Sequence, residues 1–403
     1  MTPWLAVVGI GEDGLDGLGR DARAAVDAAT VLIGGSRHLA MLPTDGREHW
    51  QWPSPFDALI AELQARRGAQ VCVLASGDPL WFGVASRLRE HFAPDEMQVW
   101  PAPSAFSLAC ARLHWSVEAT TTISLHGRPL AGLHKVIAPG ARIVALSSDE
   151  RTPSAVAQAL VARGFAASMI TVLECIGGTR ERIRSAPAGD FNLTDIAALN
   201  VIAIECVASA RAPVYSSAPG LPDEAYVHDG QLTKRVVRSA TVAALAPLPG
   251  QLLWDVGAGC GSISIEWMRA ASDAHAIAIE RDPARVQMIA TNAQALGVPA
   301  LEIVSGSVPD ALADLALPDA IFIGGALADP VVFEFCWRQL KPGGRLVMNA
   351  VTLQGEAQLH ARYVELDGEL TRIAVAVARA VGRFDALAPS MSVTQLSLRK
   401  PNG

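Results

Sequence analysis

The sequence of 403 residues lacks several features that mark particular classes of protein. It has no Cys-x-x-Cys pair and no cysteine–histidine cluster, and its six cysteines lie far apart, so neither a metal site nor a disulfide framework is predicted. No stretch of about 18 residues is free of charged and turn-forming residues, so we expect no membrane span. The net charge of −7 and the lack of a long basic run argue against a nucleic-acid partner.

The N-terminal residues, MTPWLAVVGIG, do not resemble a signal peptide, because they have no basic start and their apolar run ends at glycines and acids. Half of the residues are apolar and 18% are charged, so the chain can bury sizeable cores. Its length suggests two or more domains. We therefore expect a folded, reduced, cytoplasmic enzyme.

Short runs of Val, Ile and Leu alternate with Ala/Leu/Arg-rich segments at helical spacing, which predicts an α/β fold with largely parallel sheets. Between about 207 and 230 the composition shifts to Pro, Ser, Ala and Gly without apolar periodicity. This shift predicts a linker over 209–230 between domains at 1–208 and 231–403, although a long ordered loop inside one domain would have the same composition. The predicted strands lie at 5–8, 31–33, 71–75, 98–100, 142–146, 170–174 and 201–205, and then at 252–256, 276–280, 301–304, 320–323, 345–349, 372–378 and 392–398.

A glycine-rich loop follows the first predicted strand of the second half. Its sequence, Asp-Val-Gly-Ala-Gly-Cys-Gly, places Gly257, Gly259 and Gly261 where the backbone has to turn sharply and approach a ligand closely. Doubly wound sheets bind nucleotides at this strand end, and Glu280, at the end of the next strand, can accept hydrogen bonds from both ribose hydroxyls. A turn that binds nothing is the simpler alternative, but the loop, the acid spacing and the sheet pattern agree with a ligand site.

The type of nucleoside follows from the glycine spacing. A dinucleotide-binding loop requires G-x-G-x-x-G, and its third glycine would fall at Ser262. The G-x-G-x-G pattern after Asp255 resembles class I S-adenosylmethionine-dependent methyltransferases instead. Five βα units followed by a strand pair likewise resemble the seven-stranded sheet of that class. The Asp255 carboxylate would order the loop or face the sulfonium side of the ligand.

The first half opens with its own glycine loop, in which Gly9, Gly11 and Gly14 match G-x-G-x-x-G. A dinucleotide loop leads directly into a helix whose N-terminus meets the phosphates, whereas here the residues Leu-Asp-Gly-Leu-Gly follow. Glu12 and Asp13 would also repel a pyrophosphate. NAD bound at 9–14, in an oxidoreductase, is therefore an alternative hypothesis. A non-catalytic protein whose glycine loops are only turns is another.

Three further segments of the first half each follow a strand: SGDPLWFG at 76–83, PAPSAF at 101–106 and SLHGR at 124–128. Together with the opening V-G-I-G and the segment IGGSRHL at 33–39, they resemble the tetrapyrrole (class III) methyltransferases. That family binds S-adenosylmethionine in a cleft between two α/β lobes. The resemblance covers residues 1 to about 208.

The two halves in this order resemble the decarboxylating precorrin methyltransferases of cobalamin (vitamin B12) biosynthesis over nearly the whole chain. The resemblance implies an S-adenosylmethionine-dependent C-methyltransferase with two cofactor sites and a small tetrapyrrole substrate. It implies that the first half methylates precorrin-6Y (or 6B) at carbon 5. The second half would methylate carbon 15 and decarboxylate the carbon-12 acetate, giving precorrin-8. Both resembled families are commonly oligomeric, so a homo-oligomer is expected.

The resemblance also implies site residues. Asp78 could orient cofactor or substrate, and His126 could contact or deprotonate the macrocycle; a turn-forming Asp78 and a loop histidine bonded to backbone are the simpler alternatives. Cations beside glycine-rich strand ends, above all Arg37 and Arg128, are candidates for binding substrate carboxylates. The cofactor-lining candidates are Gly9, Gly11, Gly77, Asp78, Pro79, Ser104 and Ala105 in the first half, and Thr233, Gly257, Ala258, Gly259, Cys260, Gly261, Glu280 and Val308 in the second.

Overall fold

A computed structural model describes residues 3–53, 57–325 and 330–402 of the chain. The chain forms two compact units: Met1–Leu130 with Ala138–Pro213, and Ala131–Ile137 with Val214–Gly403. The predicted linker at 209–230 differs from this division, because residues 214–230 belong to the second unit. Leu221 and Tyr226 of this segment are buried in the core of that unit. No helix of the described part of the chain is long and apolar enough to cross a membrane.

The first unit begins with a parallel sheet whose strand order is β3-β2-β4-β1-β5. Its central strands are apolar and almost fully buried because helices cover both faces of a parallel sheet. The strands are β1 (Leu5–Ile10), β2 (Val31–Gly34), β3 (Glu48–Gln51), β4 (Val71–Ser76) and β5 (Met97–Trp100), and the helices are α1 (Arg20–Ala28), α2 (Ser36–Leu39), α3 (Asp57–Ala65), α4 (Ala85–Leu88) and α5 (Ala105–Leu113).

A second sheet of this unit has the order β6-β7-β10-β8-β9. The prediction of largely parallel sheets is wrong for this lobe. The reason is that β10 runs antiparallel to both β7 and β8, and β8 runs antiparallel to β9, so only β6 and β7 are parallel. The elements are β6 (Thr121–Ser124), β7 (Arg142–Leu146), α6 (Thr152–Ala162), β8 (Met169–Glu174), β9 (Arg182–Pro187) and β10 (Asn200–Glu205).

The second unit contains a seven-stranded sheet of order β13-β12-β11-β14-β15-β19-β16, which confirms the predicted methyltransferase topology. The first five strands in this order are parallel, and β19 is antiparallel to both of its neighbours. The elements are α7 (Arg235–Leu245), β11 (Leu252–Val256), α8 (Ser262–Ala270), β12 (His275–Glu280), α9 (Pro283–Ala295), β13 (Glu302–Ser305), β14 (Ala320–Ile323), α10 (Pro330–Gln339), β15 (Arg345–Ala350), α11 (Leu353–Leu366), β16 (Glu369–Ile373), β17 (Ala376–Val381), β18 (Phe384–Pro389) and β19 (Val393–Arg399).

One predicted strand of this unit, at 372–378, is wrong. The segment contains the end of β16, which pairs with β19, and the start of β17, which pairs with β18 in a separate exposed hairpin. Val381 pairs with Phe384 across a two-residue turn, and Gly382 adopts a φ of +62° there. Glycine takes this conformation without steric cost, so it permits the tight turn between β17 and β18.

Candidate active sites

Three loops of the first unit meet at the carboxyl edge of its parallel sheet. Gly9 lies near the end of β1, and the Gly77 amide donates a hydrogen bond to the Ile10 carbonyl oxygen at 3.1 Å. The Ala102 amide, which follows β5, donates to the Gly77 carbonyl oxygen at 3.3 Å. A Cβ atom on Gly9 would overlap that oxygen and lie 2.7 Å from the Ala102 nitrogen. Only glycine therefore allows the backbones of these loops to pack together.

The predicted residues Ser104 and Ala105 lie beside Gly77, at the start of α5. Gly77 has a φ of +59°, and a Cβ atom on it would lie 3.2 Å from the Ser104 Cα atom. The Ser104 side-chain oxygen accepts a hydrogen bond from the Ser107 amide at 3.1 Å and so caps the helix. Because the hydroxyl is used in this way, we expect Ser104 to contact a cofactor through its backbone.

Asp78 and Pro79 shape the loop that follows Gly77. The Asp78 carboxylate accepts the Leu80 amide at 2.9 Å, and the Pro79 carbonyl oxygen accepts the Ala85 amide at 2.9 Å. Asp78 therefore forms the turn, which is the simpler of its two predicted roles, while its catalytic role stays a prediction.

Gly11 belongs to a turn that separates β1 from its helix. Its carbonyl oxygen accepts the Gly14 amide at 3.2 Å, a short 3-10 helix spans Gly14–Gly17, and α1 begins only at Arg20. The loop therefore does not present a helix N-terminus in the way that a dinucleotide phosphate requires.

A polar cluster near these glycines joins the loop after β1, the helix α2 and the end of β4. The Arg37 guanidinium forms an ion pair with Glu12 and donates to the Ser76 hydroxyl at 2.7 Å, and His38 Nε2 lies 3.0 Å from the same hydroxyl. Burial and the Arg37 charge lower the pKa of His38 to about 4, so the ring is neutral near pH 7. Glu12 offsets the Arg37 charge, which weakens Arg37 as a candidate for binding substrate carboxylates.

His126, the second predicted catalytic residue, is exposed in the loop after β6. The following residue, Gly127, has a φ of +65°. The nearby Arg128 guanidinium lies 4.9 Å from the centroid of the Phe82 ring. The structure therefore places a cation and a histidine on one exposed loop, and the role of His126 stays a prediction.

In the second unit, the glycine loop is tied to the next strand by its backbone. The amides of Gly257 and Ala258 both donate to the Ile279 carbonyl oxygen at 3.0 Å, and the Gly259 amide donates to Glu280 Oε2 at 2.8 Å. Glu280 Oε1 accepts two further amides, from residues 281 and 282. The carboxylate is buried and fixed by three donors, and each oxygen keeps acceptor capacity for a ribose hydroxyl.

The positive φ values of the three glycines match the predicted sharp turn. They are +75° at Gly257, +60° at Gly259 and +79° at Gly261. A Cβ atom on Gly257 would lie 3.0 Å from the Gly325 nitrogen, and one on Gly261 would lie 2.9 Å from a methyl carbon of Ile289. The loop is therefore compressed on two sides, whereas at Gly259 the nearest atom is 3.7 Å away, so the backbone remains accessible there.

Thr233, Val308 and Cys260 occupy different surroundings. The Gln231 carbonyl oxygen, two residues before Thr233, is the atom 3.7 Å from the Gly259 Cβ position. The Gly306 amide donates to the Glu280 carbonyl oxygen at 3.1 Å, which brings the loop carrying Val308 beside Glu280. Cys260 is buried in the core, so its thiol does not face a ligand. The segments that carry the predicted residues of this half therefore come together at the carboxyl ends of β11 and β12, and the role of these residues in binding a cofactor stays a prediction.

Asp255, at the end of β11, is 1% exposed. Its Oδ2 accepts the Ser264 amide at 3.0 Å and the Ser264 hydroxyl at 2.6 Å, while Oδ1 has no hydrogen-bond partner among the described residues. Burial raises the pKa of Asp255 to about 6, against the hydrogen bonds from Ser264. Of its two predicted roles, ordering the loop is the one that these contacts show.

A buried ionic cluster in the second unit was not predicted from the sequence. The Arg238 side chain is fully buried and donates from Nε to Glu266 at 2.5 Å and from a terminal nitrogen to the Thr233 carbonyl oxygen at 2.5 Å. Glu266 also accepts the Leu221 amide and the Tyr226 hydroxyl, both at 3.0 Å. The cluster therefore fixes the segment that carries Thr233 beside the glycine loop.

The glycine loops at the carboxyl ends of the strands fit S-adenosylmethionine better than a dinucleotide in both units. In the first unit, Gly9 and Gly77 let the backbones of three loops pack together at the strand ends, and in the second unit Gly259 leaves the backbone accessible. The second unit adds a fixed carboxylate for the ribose hydroxyls. A pyrophosphate needs a G-x-G-x-x-G loop that leads directly into a helix. The loop of the first unit has the three glycines but does not lead directly into α1. The loop of the second unit leads into α8 but has serine in place of the third glycine.

In the comparison with known proteins, a different family matches each of the two units. The tetrapyrrole (corrin/porphyrin) methylase family matches residues 5–192, and the precorrin methyltransferase domain matches residues 224–400. A precorrin-6Y C(5,15)-methyltransferase [decarboxylating] from Sinorhizobium sp. is 46% identical over 402 residues, which cover 99% of this chain and 97% of the relative.

Two shorter relatives each match less than half of the chain. A cobalt-precorrin-7 C(5)-methyltransferase from Salmonella typhimurium is 35% identical over 189 residues, which cover 47% of this chain and 92% of the relative. A probable cobalt-precorrin-6B C(15)-methyltransferase (decarboxylating) from Pyrobaculum calidifontis is 31% identical over 176 residues, which cover 42% of this chain and 90% of the relative.

The fold and the matches define an S-adenosylmethionine-dependent C-methyltransferase that acts in cobalamin biosynthesis. The chain belongs to the precorrin-6Y C(5,15)-methyltransferase (decarboxylating) family. The predicted family, fold and enzyme class are therefore confirmed, and the alternative of an NAD-dependent oxidoreductase finds no support.

Proposed function

We propose that each unit binds its own S-adenosylmethionine and that the chain performs two methylations on one precorrin. The first unit methylates carbon 5 of the ring. The second methylates carbon 15 and decarboxylates the carbon-12 acetate, so that precorrin-6Y or 6B is converted to precorrin-8. The observation that carries this proposal is the presence of two unlike glycine-rich sites at the carboxyl ends of parallel strands, one in each unit.

The two shorter relatives support one reaction in each unit. Their names divide methylation at carbon 5 and decarboxylating methylation at carbon 15 between separate proteins. Each of them matches a length close to that of one unit, whereas the relative named for both reactions matches the whole chain. We therefore assign the two reactions to separate sites rather than to one shared site.

The residues of the chain contribute mainly binding and positioning. S-adenosylmethionine supplies an electrophilic methyl group, so the protein has to align the ring carbon with it and exclude water. In the second unit, Glu280 holds the ribose, and the loop Gly257–Gly261 forms the wall against the nucleoside. In the first unit, Gly9, Gly11, Gly77, Ser104 and Ala105 contribute backbone to the corresponding wall.

Each methylation replaces a ring C–H bond with a C–CH3 bond, so a proton has to leave the ring. Asp78 and His126 remain our candidates for orienting the ring or accepting that proton. Decarboxylation breaks the C–C bond to the carboxylate, releases carbon dioxide and moves the electron pair into the ring system; a proton then adds to the former methylene carbon, which becomes a methyl group. A site that desolvates the leaving carboxylate would promote this step.

Two measurements test the proposal. Mass spectrometry of precorrin-6Y incubated with the full chain and S-adenosylmethionine should show two added methyl groups and the loss of one carbon dioxide. Calorimetric titration should show two cofactor equivalents per chain, reduced to one in Gly257→Val, whose product should lack the carbon-15 methyl group and keep the carbon-12 acetate. A single cofactor equivalent in the unsubstituted protein would refute the two-site proposal.

A further inference from the structure

The loop after Gly77 exposes apolar side chains that the fold does not require to be exposed. Leu80 is 50% exposed and Phe82 is 41% exposed. Phe82 has a φ of +56°, a left-handed conformation that is unfavourable for a bulky side chain. A strained backbone that holds an aromatic ring at the surface points to a function other than stability.

Hydrogen bonds hold the backbone of this loop on both sides of Phe82. The Ala85 amide donates to the Pro79 carbonyl oxygen at 2.9 Å, and the Ser86 hydroxyl donates to the Leu80 carbonyl oxygen at 2.8 Å. A Cβ atom on Gly83 would lie 2.6 Å from the Pro79 carbonyl carbon, so the chain also packs tightly on itself.

The Phe82 ring connects the cofactor loops to an exposed cation. Its centroid lies 5.7 Å from that of Phe106, a buried residue directly after the cofactor-lining candidate Ala105. The Arg128 guanidinium lies 4.9 Å from the Phe82 centroid. A guanidinium over an aromatic face keeps its N–H donors free at the edge. No acidic side chain of the described residues forms an ion pair with Arg128.

We propose that Arg128 binds a peripheral carboxylate of the tetrapyrrole in the first unit, and that Phe82 is the residue that positions Arg128. This inference rests on the proposed function, because a substrate with several carboxylates is its occupant. The guanidinium offers a bidentate donor edge to one carboxylate, and its contact with Phe82 limits the orientations of the flexible side chain before the substrate arrives. The exposed Leu80 side chain, in the same loop as Phe82, offers an apolar surface to the tetrapyrrole.

The test measures steady-state carbon-5 methylation by the full chain. With precorrin-7 as the substrate, following the name of the shorter carbon-5 relative, Arg128→Gln should raise the KM by about 10- to 100-fold, because it removes a charge-assisted hydrogen-bonded pair, and should leave kcat within about twofold. Arg128→Lys should recover part of this loss. The matched control is Arg142→Gln, which removes another arginine over an aromatic ring, Trp115, and should leave the KM unchanged.

The role of Phe82 is tested by a second set of variants. Phe82→Gly relieves the backbone strain but removes the ring, so the KM should rise about 2- to 5-fold, and Phe82→Tyr should restore it. Phe82→Gly should add almost nothing when Arg128→Gln is already present, because Phe82 acts through Arg128. His114→Gly relieves the same conformation at another exposed residue, with a φ of +56°, and should not change the KM.

Two further readouts separate the possible failures. Cofactor affinity should be unchanged in all variants; a parallel loss of cofactor binding in Arg128→Gln would show a structural role and overturn the inference. An unchanged KM in Arg128→Gln would overturn it as well. Equilibrium binding of precorrin-7 is measured alongside turnover. If the unsubstituted chain binds precorrin-7 in an Arg128-dependent manner but does not methylate carbon 5, the proposed function fails and the docking site stands. If precorrin-7 does not bind, both fail.

Discussion

Replacing Asp255 with asparagine should change how the stability of the second unit depends on pH. The pKa of Asp255 in the folded protein is about 6, against an ordinary value of 3.8, because the carboxyl group is buried with one oxygen unpartnered. Between these two values the folded state holds a proton that the unfolded state has released. The free energy of unfolding therefore falls as the pH rises through this window, and the ionised carboxylate destabilises the folded state at neutral pH.

The magnitude follows from the shift. The difference between 3.8 and about 6 corresponds to a full penalty of about 3 kcal/mol above pH 6. By the same linkage relation, about 1.4 kcal/mol of it develops between pH 5 and pH 8. Asp255→Asn keeps an acceptor for Ser264 but places amide hydrogens near the unpartnered position, which costs about 1–3 kcal/mol at every pH. That constant cost cancels when the two pH values are compared.

The measurement is urea unfolding at pH 5 and pH 8, read by pulsed hydrogen exchange on peptides from β11 and β12. The stability of Asp255→Asn relative to the unsubstituted protein should rise by about 1.4 kcal/mol from pH 5 to pH 8. Peptides from β1 and β4 of the first unit serve as the internal control and should show no such difference. A relative stability that is the same at both pH values would refute the argument from burial.

Three other predictions concern the glycine edge, the ionic cluster and the neutral histidine. Gly9→Ala should abolish cofactor binding in the first unit, because its methyl group would overlap a carbonyl oxygen of the neighbouring loop. Calorimetry should show this loss. The control Gly19→Ala, with no atom within 4 Å of its Cβ position, should keep both sites. Glu266→Gln removes the buried carboxylate that pairs with Arg238 and leaves the less buried Asp223 as its carboxylate partner, so the unfolding free energy of the second unit should fall by about 1–3 kcal/mol in urea; an unchanged value would contradict it. His38 is neutral in the fold, so the unsubstituted first unit should lose about 3 kcal/mol as the pH falls from 6.5 to about 4, and His38→Gln should lack this loss in pH-dependent unfolding.

The sequence predicted the fold best where strands are buried on both faces. The strands at 252–256, 320–323 and 142–146 are mostly apolar, and their predicted bounds agree with β11, β14 and β7. The strands β3 and β9 were missed because they are mostly exposed and their sequences, EHWQ and RIRSAP, show no apolar run. Such strands form because a neighbouring strand offers hydrogen bonds, and their own side chains carry little sign of it.

The candidate sites were predictable where glycine spacing carries the information. The loop Gly257–Gly261 and Glu280 follow a motif, because backbone approach and a carboxylate at fixed separation need those residue types. Arg238 and Glu266 follow no motif, since a charged residue in a helix is usually solvated. A signal was present for Glu266: it lies between Ile265 and Trp267 in α8, where every residue from 262 to 269 is buried.

The tie between Glu266 and the backbone at 220–221 sets where this methyltransferase module can be cut. A recombinant fragment that starts at residue 231, as the glycine motif alone would suggest, would leave the Glu266 carboxylate without the two amides and the Tyr226 hydroxyl that it accepts. Gene fusions and domain swaps that transplant this half should therefore take the stretch from residue 214 onwards with it. The segment that has to be transferred as a unit is longer than the segment that carries the recognisable motifs.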